Sequence, residues 1–449
     1  MLEFDVIVIG AGIAGLAAAE RIGEAGRRTC IIEARERIGG RVYTTGSPAS
    51  VPIELGAEFI HGRPPELWSI VQTTKLRIAE ARGVSWCAQD GKLAPCSEFA
   101  RVGASMNLIL EHAPPPDQPD VPFQKLLDVY FAEERFAEMR AAATRYVEGF
   151  HAARAERISA QALVRGEAAS ARTEGGRAFR LLDGYGKVIE HLCARLSGDV
   201  RLELCTVVER IYWEQGAVSV CAQRADGTGA TFRARACIVT IPLGVLRASP
   251  DARGAILFSP DLSEKRAAML KIEVGQVVRL NLIFRRRWWP EFLRARYDQR
   301  KATERMGFLF ARDEPFPTWW TQHPAHTPVL VGWAGGSRAE RLLASGDVVE
   351  QAISSLCRIF GSERREMEAL IEEVRWHDWS ADPFARGSYS YIGVGGLYAP
   401  QALAQPVADT LFFAGEATNT AGHEATVHGA LQTGQRAAEE VIAALAKKS

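Results

Sequence analysis

The chain has 449 residues, enough for roughly two or three domains and a sizeable core. Its 54 basic and 54 acidic side chains cancel, so no global field calls for nucleic acid or an anionic membrane surface. The eight cysteines show neither a CxxC pair nor His/Cys ligand spacing, which argues against structural zinc and a disulfide framework and reads as ordinary buried thiols of a reducing compartment.

The first strand opens at Phe4, leaving no room for a signal peptide, and no uncharged apolar run reaches the roughly 18 residues of a membrane span. The expectation is a soluble cytoplasmic protein, monomer or homodimer, without a metal. "FDVIVIGAGIAGLAAAERI" (4–22) reads as an apolar strand, a glycine turn and an alanine-rich helix. Gly10, Gly12 and Gly15 form GxGxxG there. The first glycine permits the tight turn, the second lets backbone approach a pyrophosphate, and the third lets helix pack on strand. The helix start around Ala14 turns free N–H groups and a positive dipole end toward the phosphates. A second strand, "RTCIIEA", ends at Glu33, 18 residues after Gly15 and placed to accept hydrogen bonds from a ribose diol, with Ala34 and Arg35 following. In "RERIGGRVYT", Gly39 and Gly40 make another close backbone approach and Arg41 offers a fork for phosphate. A GGR after the ribose acid resembles the glutathione-reductase-like FAD proteins rather than the nicotinamide dehydrogenases. In "ELGAEFIHG" (54–62), the Gly56-Ala57 pair would let backbone lie against a flavin ring.

From about 83 to 176 the pattern changes to charged, alanine-rich helices, broken by the loop "APPPDQPDVP". Helix and strand return over 177–214, and "RARACIVTIPLGVL" adds a buried strand. "GQVVRLNLIF" (275–284) reads as a buried strand with Val278, Leu280, Leu282 and Phe284 on one face and Val277, Arg279, Asn281 and Ile283 on the other. A guanidinium in mid-strand must find an acceptor, a cofactor or water. The parity points Arg279 toward a cleft; an exposed edge strand is the plain alternative. A helix near 347–360 and a closing strand, loop and long helix from about Thr426 complete the chain. The layout predicts a discontinuous domain, 1–78, 177–250 and 385–449, and a second, 79–176 and 251–384, with 79–176 helical.

These signposts together resemble the flavin-containing amine oxidases, which include monoamine oxidases, polyamine oxidases and the lysine-specific histone demethylase. They are GxGxxG with Glu33, GGRV (39–42), ELGAEFIHG, IPLGVL (241–246), the strand leading into Trp288-Trp289, ADPFARGSYSY (381–391), FFAGEAT and ATVHGAL (425–431). The resemblance implies an α/β, two-domain FAD-linked amine oxidase fold: a glutathione-reductase-like FAD-binding domain plus a mixed-sheet and helical substrate domain. It implies that Gly415 and Glu416 contact the ribityl–pyrophosphate region, that Val208 backbone sits near the adenine, that Trp379 lies beside the ring, and that Thr426 and Val427 sit near the pyrimidine edge. The start of the last helix would then face flavin N1 and O2. The implied chemistry is hydride loss from the carbon beside an amine nitrogen to flavin N5, hydrolysis of the imine, and reduction of oxygen to hydrogen peroxide.

Departures from the family pattern carry their own expectations. Ser388 stands where monoamine oxidases carry the cysteine that attaches flavin, so FAD is expected to be non-covalent. Tyr389 matches one wall of the aromatic sandwich around the amine; the other wall is Thr426, leaving room for a secondary, N-alkylated or polyamine-like substrate. Glu58 and His61 resemble the polar entrance pair of polyamine oxidases, suited to a cation, and His423 would also line the cavity. Arg279 stands ten residues before Trp289, where the family has a lysine that holds a water against the flavin. It would hold the water, touch the flavin, or pair with an acidic substrate group. A carbon–carbon dehydrogenase, an L-amino-acid oxidase using Arg279 or Arg63 for the carboxylate, and a catalytically silent flavoprotein are the alternatives.

Overall fold

A computed structural model of the chain describes residues 3–47, 51–89, 92–297 and 300–447. The runs VIVI, TCII, ACIV and LFF do not alternate in polarity, and every residue in them is buried, as in strands covered on both faces. They form a five-stranded parallel sheet in the order Val200–Glu203, Thr29–Ile32, Val6–Ile9, Ala236–Val239, Leu411–Phe413. One face is covered by the helices Ile13–Glu24, Gly186–Ala194 and Val427–Ala446, and the other by an antiparallel meander over 206–234.

In this strand order the chain leaves Val6–Ile9 for one side of the sheet and returns on the other. The carboxyl end of that strand is therefore a switch point, where open α/β sheets bind ligands. Gly10 sits there with φ 101°, a conformation that favours glycine. A Cβ on Gly15 would stand 1.9 Å from the Gly10 carbonyl oxygen, so only glycine lets helix and turn meet.

A second sheet of seven strands contains Val277–Phe284, second from one edge, between Val329–Gly335 and Ile371–Trp376. All eight of its residues are buried, which removes the exposed-edge reading. The helices Glu98–Leu110, Phe123–Tyr130, Ala137–Phe150 and Ala160–Arg172 pack into a core of their own, and 113–122 is a loop as expected. The helical reading of the segment from about 83 begins too early. Val84–Gln89 and Lys92–Pro95 form a hairpin at the far edge of the seven-stranded sheet, paired in parallel with Met306–Ala311. That pairing spans more than two hundred residues of chain and leaves no local periodicity. The hairpin also corrects the cysteine reading. Cys87 and Cys96 form a disulfide with Cα atoms 5.8 Å apart, which removes the ground for expecting a reducing compartment. The other six cysteines are free, Cys30 and Cys237 fully buried and the rest half-buried.

Arg279 is 3% exposed and answers to protein groups on three sides. Its Nη1 donates to the carbonyl oxygens of Glu54 and Gly56, and its Nη2 to the Glu58 carboxylate. Asn281, on the same strand face, donates to the Glu54 carbonyl at 3.0 Å. The other Glu58 oxygen accepts from Arg180 Nε at 2.6 Å, and Trp320 Nε1 donates to Oε2 at 3.0 Å. Burial alone would raise the Glu58 carboxyl, but Arg180 and Arg279 hold it below its ordinary value. Burial pushes the neighbouring Glu54 up to about 7. Glu58, expected to greet a cationic substrate, has both its oxygens engaged by protein groups. The cluster pins the 54–58 segment and the strand Ala178–Leu181 against the seven-stranded sheet through desolvated charge pairs.

Replacing Arg279 by Met leaves the buried Glu58 charge with one cation and is expected to cost about 3–5 kcal/mol of stability. Glu58→Gln should cost a comparable amount. The double variant should lose at least about 1 kcal/mol less than the sum, because the two side chains are in contact. Denaturant unfolding followed by tryptophan fluorescence measures all three, and strictly additive losses would show the pair to be uncoupled.

Candidate active site

A cavity of about 950 Å³ runs from the switch point of the parallel sheet to the aromatic face of the seven-stranded sheet. Of the residues singled out in the sequence, Gly10, Gly12, Ala14, Glu33, Ala34, Arg35, Gly39, Gly40, Arg41, Gly56, Ala57, Glu58, Val208, Trp379, Gly415, Glu416, Thr426 and Val427 line it. So do Arg279, Tyr389, His61 and His423. Gly15 does not; its place is behind the turn.

At the switch-point end, the helix Ile13–Glu24 begins at Gly12 without a side-chain cap, so its first N–H groups are left for whatever fills the cavity. Glu33 is buried, with Oε2 accepting from the Ala11 N–H at 2.8 Å and Oε1 from the Arg35 N–H at 2.9 Å. Arg35 spans both Asp382 oxygens at 2.8 Å. Arg41, expected to offer its fork to phosphate, is engaged by protein at Nη1, which donates to the Ser388 carbonyl at 2.8 Å and to Glu416 Oε1 at 2.9 Å. Glu416 Oε2 accepts from Ser390 Oγ at 2.6 Å and the Ala425 N–H at 3.0 Å. Glu416 thus holds three chain segments around the cavity in register.

In the middle, Trp379 Nε1 donates to the Leu55 carbonyl at 2.9 Å, and its Cζ2 would lie 3.3 Å from a Cβ at Gly56. Such a Cβ would also stand 1.9 Å from the Arg41 carbonyl oxygen, so Gly56 keeps bare backbone on the cavity wall. Ser388 presents a buried hydroxyl without a hydrogen-bond partner, and no sulfur. The last helix, Val427–Ala446, is capped by Thr426, whose Oγ1 accepts from the Gly429 N–H at 2.9 Å and donates to the His423 carbonyl at 2.7 Å. Two helix starts, a buried acid at the end of the second strand and glycine-bare wall together fit an extended adenine dinucleotide.

The other end is aromatic. Tyr389 donates its hydroxyl to the Phe150 carbonyl at 2.9 Å, and burial pushes its phenol above the ordinary range. Phe150 stacks on Tyr146 at 5.1 Å and meets His61 edge-on at 5.2 Å. Phe59, Phe308, Trp320 and Trp333 continue the wall. His61 and His151 face the cavity rather than bulk solvent, and burial pushes both down to about 4. His428 goes down to about 3 and shares a hydrogen bond with His423, Nε2 to Nδ1 at 3.1 Å. All are neutral at neutral pH, so His61 is an uncharged wall group.

Most carboxylates on the wall are already neutralised by arginine. Glu80 pairs with Arg177 at 2.9 Å, Glu98 with Arg101 and with Arg312 at 3.1 Å, and Glu424 with Arg165. Glu148, raised by burial, is bonded by Ser337 and faces the charges of Arg338 and Arg341. Glu167 is bonded by the Tyr146 phenol at 3.4 Å. Sequence reasoning missed Tyr146, Phe150, His151, Glu167, Trp320 and His428. The i, i+4 pair Tyr146/Phe150 is visible in the sequence as one helix face; the others lack any local signal. Among the described residues, no group of three or more His, Cys, Asp or Glu is arranged to hold a metal ion.

The family model of the flavin containing amine oxidoreductases matches residues 13–82 and 123–442. Among curated relatives, polyamine oxidase 2 of Arabidopsis thaliana is 29% identical over 97% of this chain and 87% of its own length. Polyamine oxidase 3 of Oryza sativa subsp. japonica is 30% identical over 97% and 88%. Lysine-specific histone demethylase 2 of Homo sapiens is 28% identical over 98% of this chain and 53% of its own. Among solved structures, a putrescine oxidase variant superposes with a TM-score of 0.78 at 22% identity, covering 98% of this chain and 99% of that one. Cyclohexylamine oxidase from Brevibacterium oxydans gives 0.77 at 21%, covering 99% and 100%. With most of its length inside the family model and the glycine turns, Trp379 and Tyr389 gathered on one cavity, the chain belongs to the flavin-containing amine oxidoreductases.

Proposed function

We propose that this FAD-dependent amine oxidoreductase is an oxidase that acts on a small N-substituted or oligoamine substrate and passes the electrons to oxygen, releasing hydrogen peroxide. The observation that carries the reading is the continuity of one cavity from a dinucleotide-type wall to an aromatic wall, with Trp379, Ser388, Tyr389 and Thr426 where the two meet. Relatives named as polyamine oxidases support the substrate class. The flavin supplies the acceptor for a hydride from the carbon beside the amine nitrogen.

The chain's residues position, exclude and neutralise. In this reading the segments 1–78, 177–250 and 385–449 bind FAD, and 79–176 with 251–384 bind the amine. The amides at Gly12–Ala14 would hold the pyrophosphate, Glu33 the ribose, and Val208 backbone the adenine. Gly56, Ala57, Trp379, Thr426 and Val427 would hold the ring, and the positive end of the last helix would favour negative charge on it. Tyr389 is pinned through its hydroxyl to Phe150, so it presents a fixed ring face and stays a phenol. Thr426 spends its hydroxyl on the cap and contributes small size rather than chemistry. Neutral His61, His151 and His428 exclude water without repelling an ammonium group.

The amino-acid oxidase reading loses both of its clamps. Arg279 is bound to Glu58, and Arg63 stacks on Trp68, 3.7 Å from Glu174 and off the cavity wall. Oxygen uptake and peroxide release over a panel of amines, oligoamines and amino acids test the proposal. Turnover of amines with one peroxide per oxygen is expected; turnover confined to amino acids would overturn it.

Two cofactor predictions accompany the reading. Acid precipitation of the yellow protein should release all FAD to the supernatant, because Ser388 offers no thiol; flavin retained in the pellet would contradict this. Glu33→Ala should weaken FAD binding roughly ten- to a hundredfold, the loss of about 1.5–3 kcal/mol from a charge-assisted hydrogen bond. Titration of the apoprotein with FAD measures it, and an unchanged affinity would remove Glu33 from the ribose.

A further inference from the structure

We infer that Asp382 is a positioning residue for the cofactor: its one carboxylate orients Arg35 at the ribose end of the FAD site and, through His377, Trp379 beside the ring. The inference rests on the placement of FAD proposed above and adds a residue that does not itself line the cavity.

The Asp382 side chain is 7% exposed, and each of its oxygens has two partners. Arg35 Nη2 lies 2.8 Å from both oxygens, the Phe384 N–H donates to Oδ1 at 2.8 Å, and His377 Nε2 lies 2.8 Å from Oδ2. Burial alone would raise the carboxyl, but His377 and Arg35 hold it below its ordinary value, so the charge is present at neutral pH. Arg35 and Asp382 stand 347 residues apart in the chain, so only the fold brings them together.

The two sides of this carboxylate lead to different parts of the cavity wall. On one side, Arg35 follows Glu33, whose Oε1 accepts the Arg35 N–H and lies 3.8 Å from Arg35 Nη1. Asp382 draws the guanidinium the other way, because two contacts at 2.8 Å outweigh one at 3.8 Å. Arg35 is thereby kept from closing over Glu33. On the other side, the His377 ring packs on Trp379 with centroids 4.3 Å apart, and the Trp379 indole is bonded to the Leu55 carbonyl at 2.9 Å. Phe384, on the cavity wall, has its backbone held by Asp382 and its ring 5.5 Å from the Arg35 guanidinium. Loss of the Asp382 charge therefore reaches both ends of the site at once, which loss of a simple loop tie would not.

The test titrates the apoprotein with FAD and reads the bound flavin by visible circular dichroism. Asp382→Asn keeps an acceptor for the Phe384 N–H but removes the charge, and should weaken FAD binding at least about tenfold. Arg35→Gln should weaken it comparably. The double variant should bind no more than about threefold worse than the weaker single, because both changes break one contact. At saturating FAD the dichroism should change in Asp382→Asn and in His377→Phe, which keeps a ring against Trp379 without the hydrogen bond. It should stay as in wild type in Arg35→Gln. Affinity losses that multiply in the double variant, or wild-type dichroism in His377→Phe, would overturn the inference; the second outcome is readable even if Asp382→Asn does not fold. Glu33→Ala checks the placement of FAD by itself. Unchanged affinity there would remove the ribose end and this inference with it, whereas weakened binding there beside multiplying losses at Arg35 and Asp382 would overturn this inference alone.

Discussion

A carboxylate buried between two guanidinium groups is the constraint on which the arrangement of this molecule turns. Glu58, Arg180 and Arg279 are each about 6% exposed or less, and each comes from a different strand or strand edge. Removing three charges from water is costly, and only close mutual contact offsets it. The 54–58 segment therefore cannot drift from the strand Val277–Phe284 without exposing an unpaired charge to apolar surroundings. The carbonyl oxygens of Glu54 and Gly56 are drawn into the same cluster by Arg279 and Asn281. Fixing that backbone fixes the bare wall at Gly56 and the carbonyl of Leu55 that receives Trp379. The middle of the cavity is shaped by a charge cluster just behind it.

The two ends of the cavity follow from different physics. The switch-point end is dictated by topology, because a parallel sheet that reverses its winding leaves a crevice at the carboxyl ends of its central strands. Helix starts and the glycine turn then place backbone N–H groups along it. The aromatic end is made by long-range convergence. A helix, two strands and the loop before the last helix bring Tyr146, Phe150, His61, Trp320 and His423 to one surface. Its polar groups are either paired or neutral, which lets an amine bind in a site of low polarity while retaining specific contacts.

The placement of arginines decides which charges remain available. The chain is balanced overall, 54 basic against 54 acidic side chains, yet on the cavity wall most carboxylates are claimed by a neighbour. Net charge says nothing about this, since it is a sum over the whole chain and the pairing on the wall is local.

By itself the sequence determined the parts whose physics is local. Non-alternating apolar runs specified strands covered on both faces; GxGxxG specified the turn and helix start at Gly10 to Ile13; and Thr426 specified the start of the last helix, because a cap bonds within its own first turn. Strand parity also predicted that Arg279 and Asn281 share a face opposite the apolar one. What Arg279 faces was decided by tertiary structure, since Glu58 lies 221 residues away along the chain. The Cys87–Cys96 bond, the edge hairpin and the commitment of Glu58 and Arg41 to protein partners were decided in the same way. Pairing of charges and strands is set by which surfaces meet on folding, and no periodicity of 2 or 3.6 along the chain records that meeting.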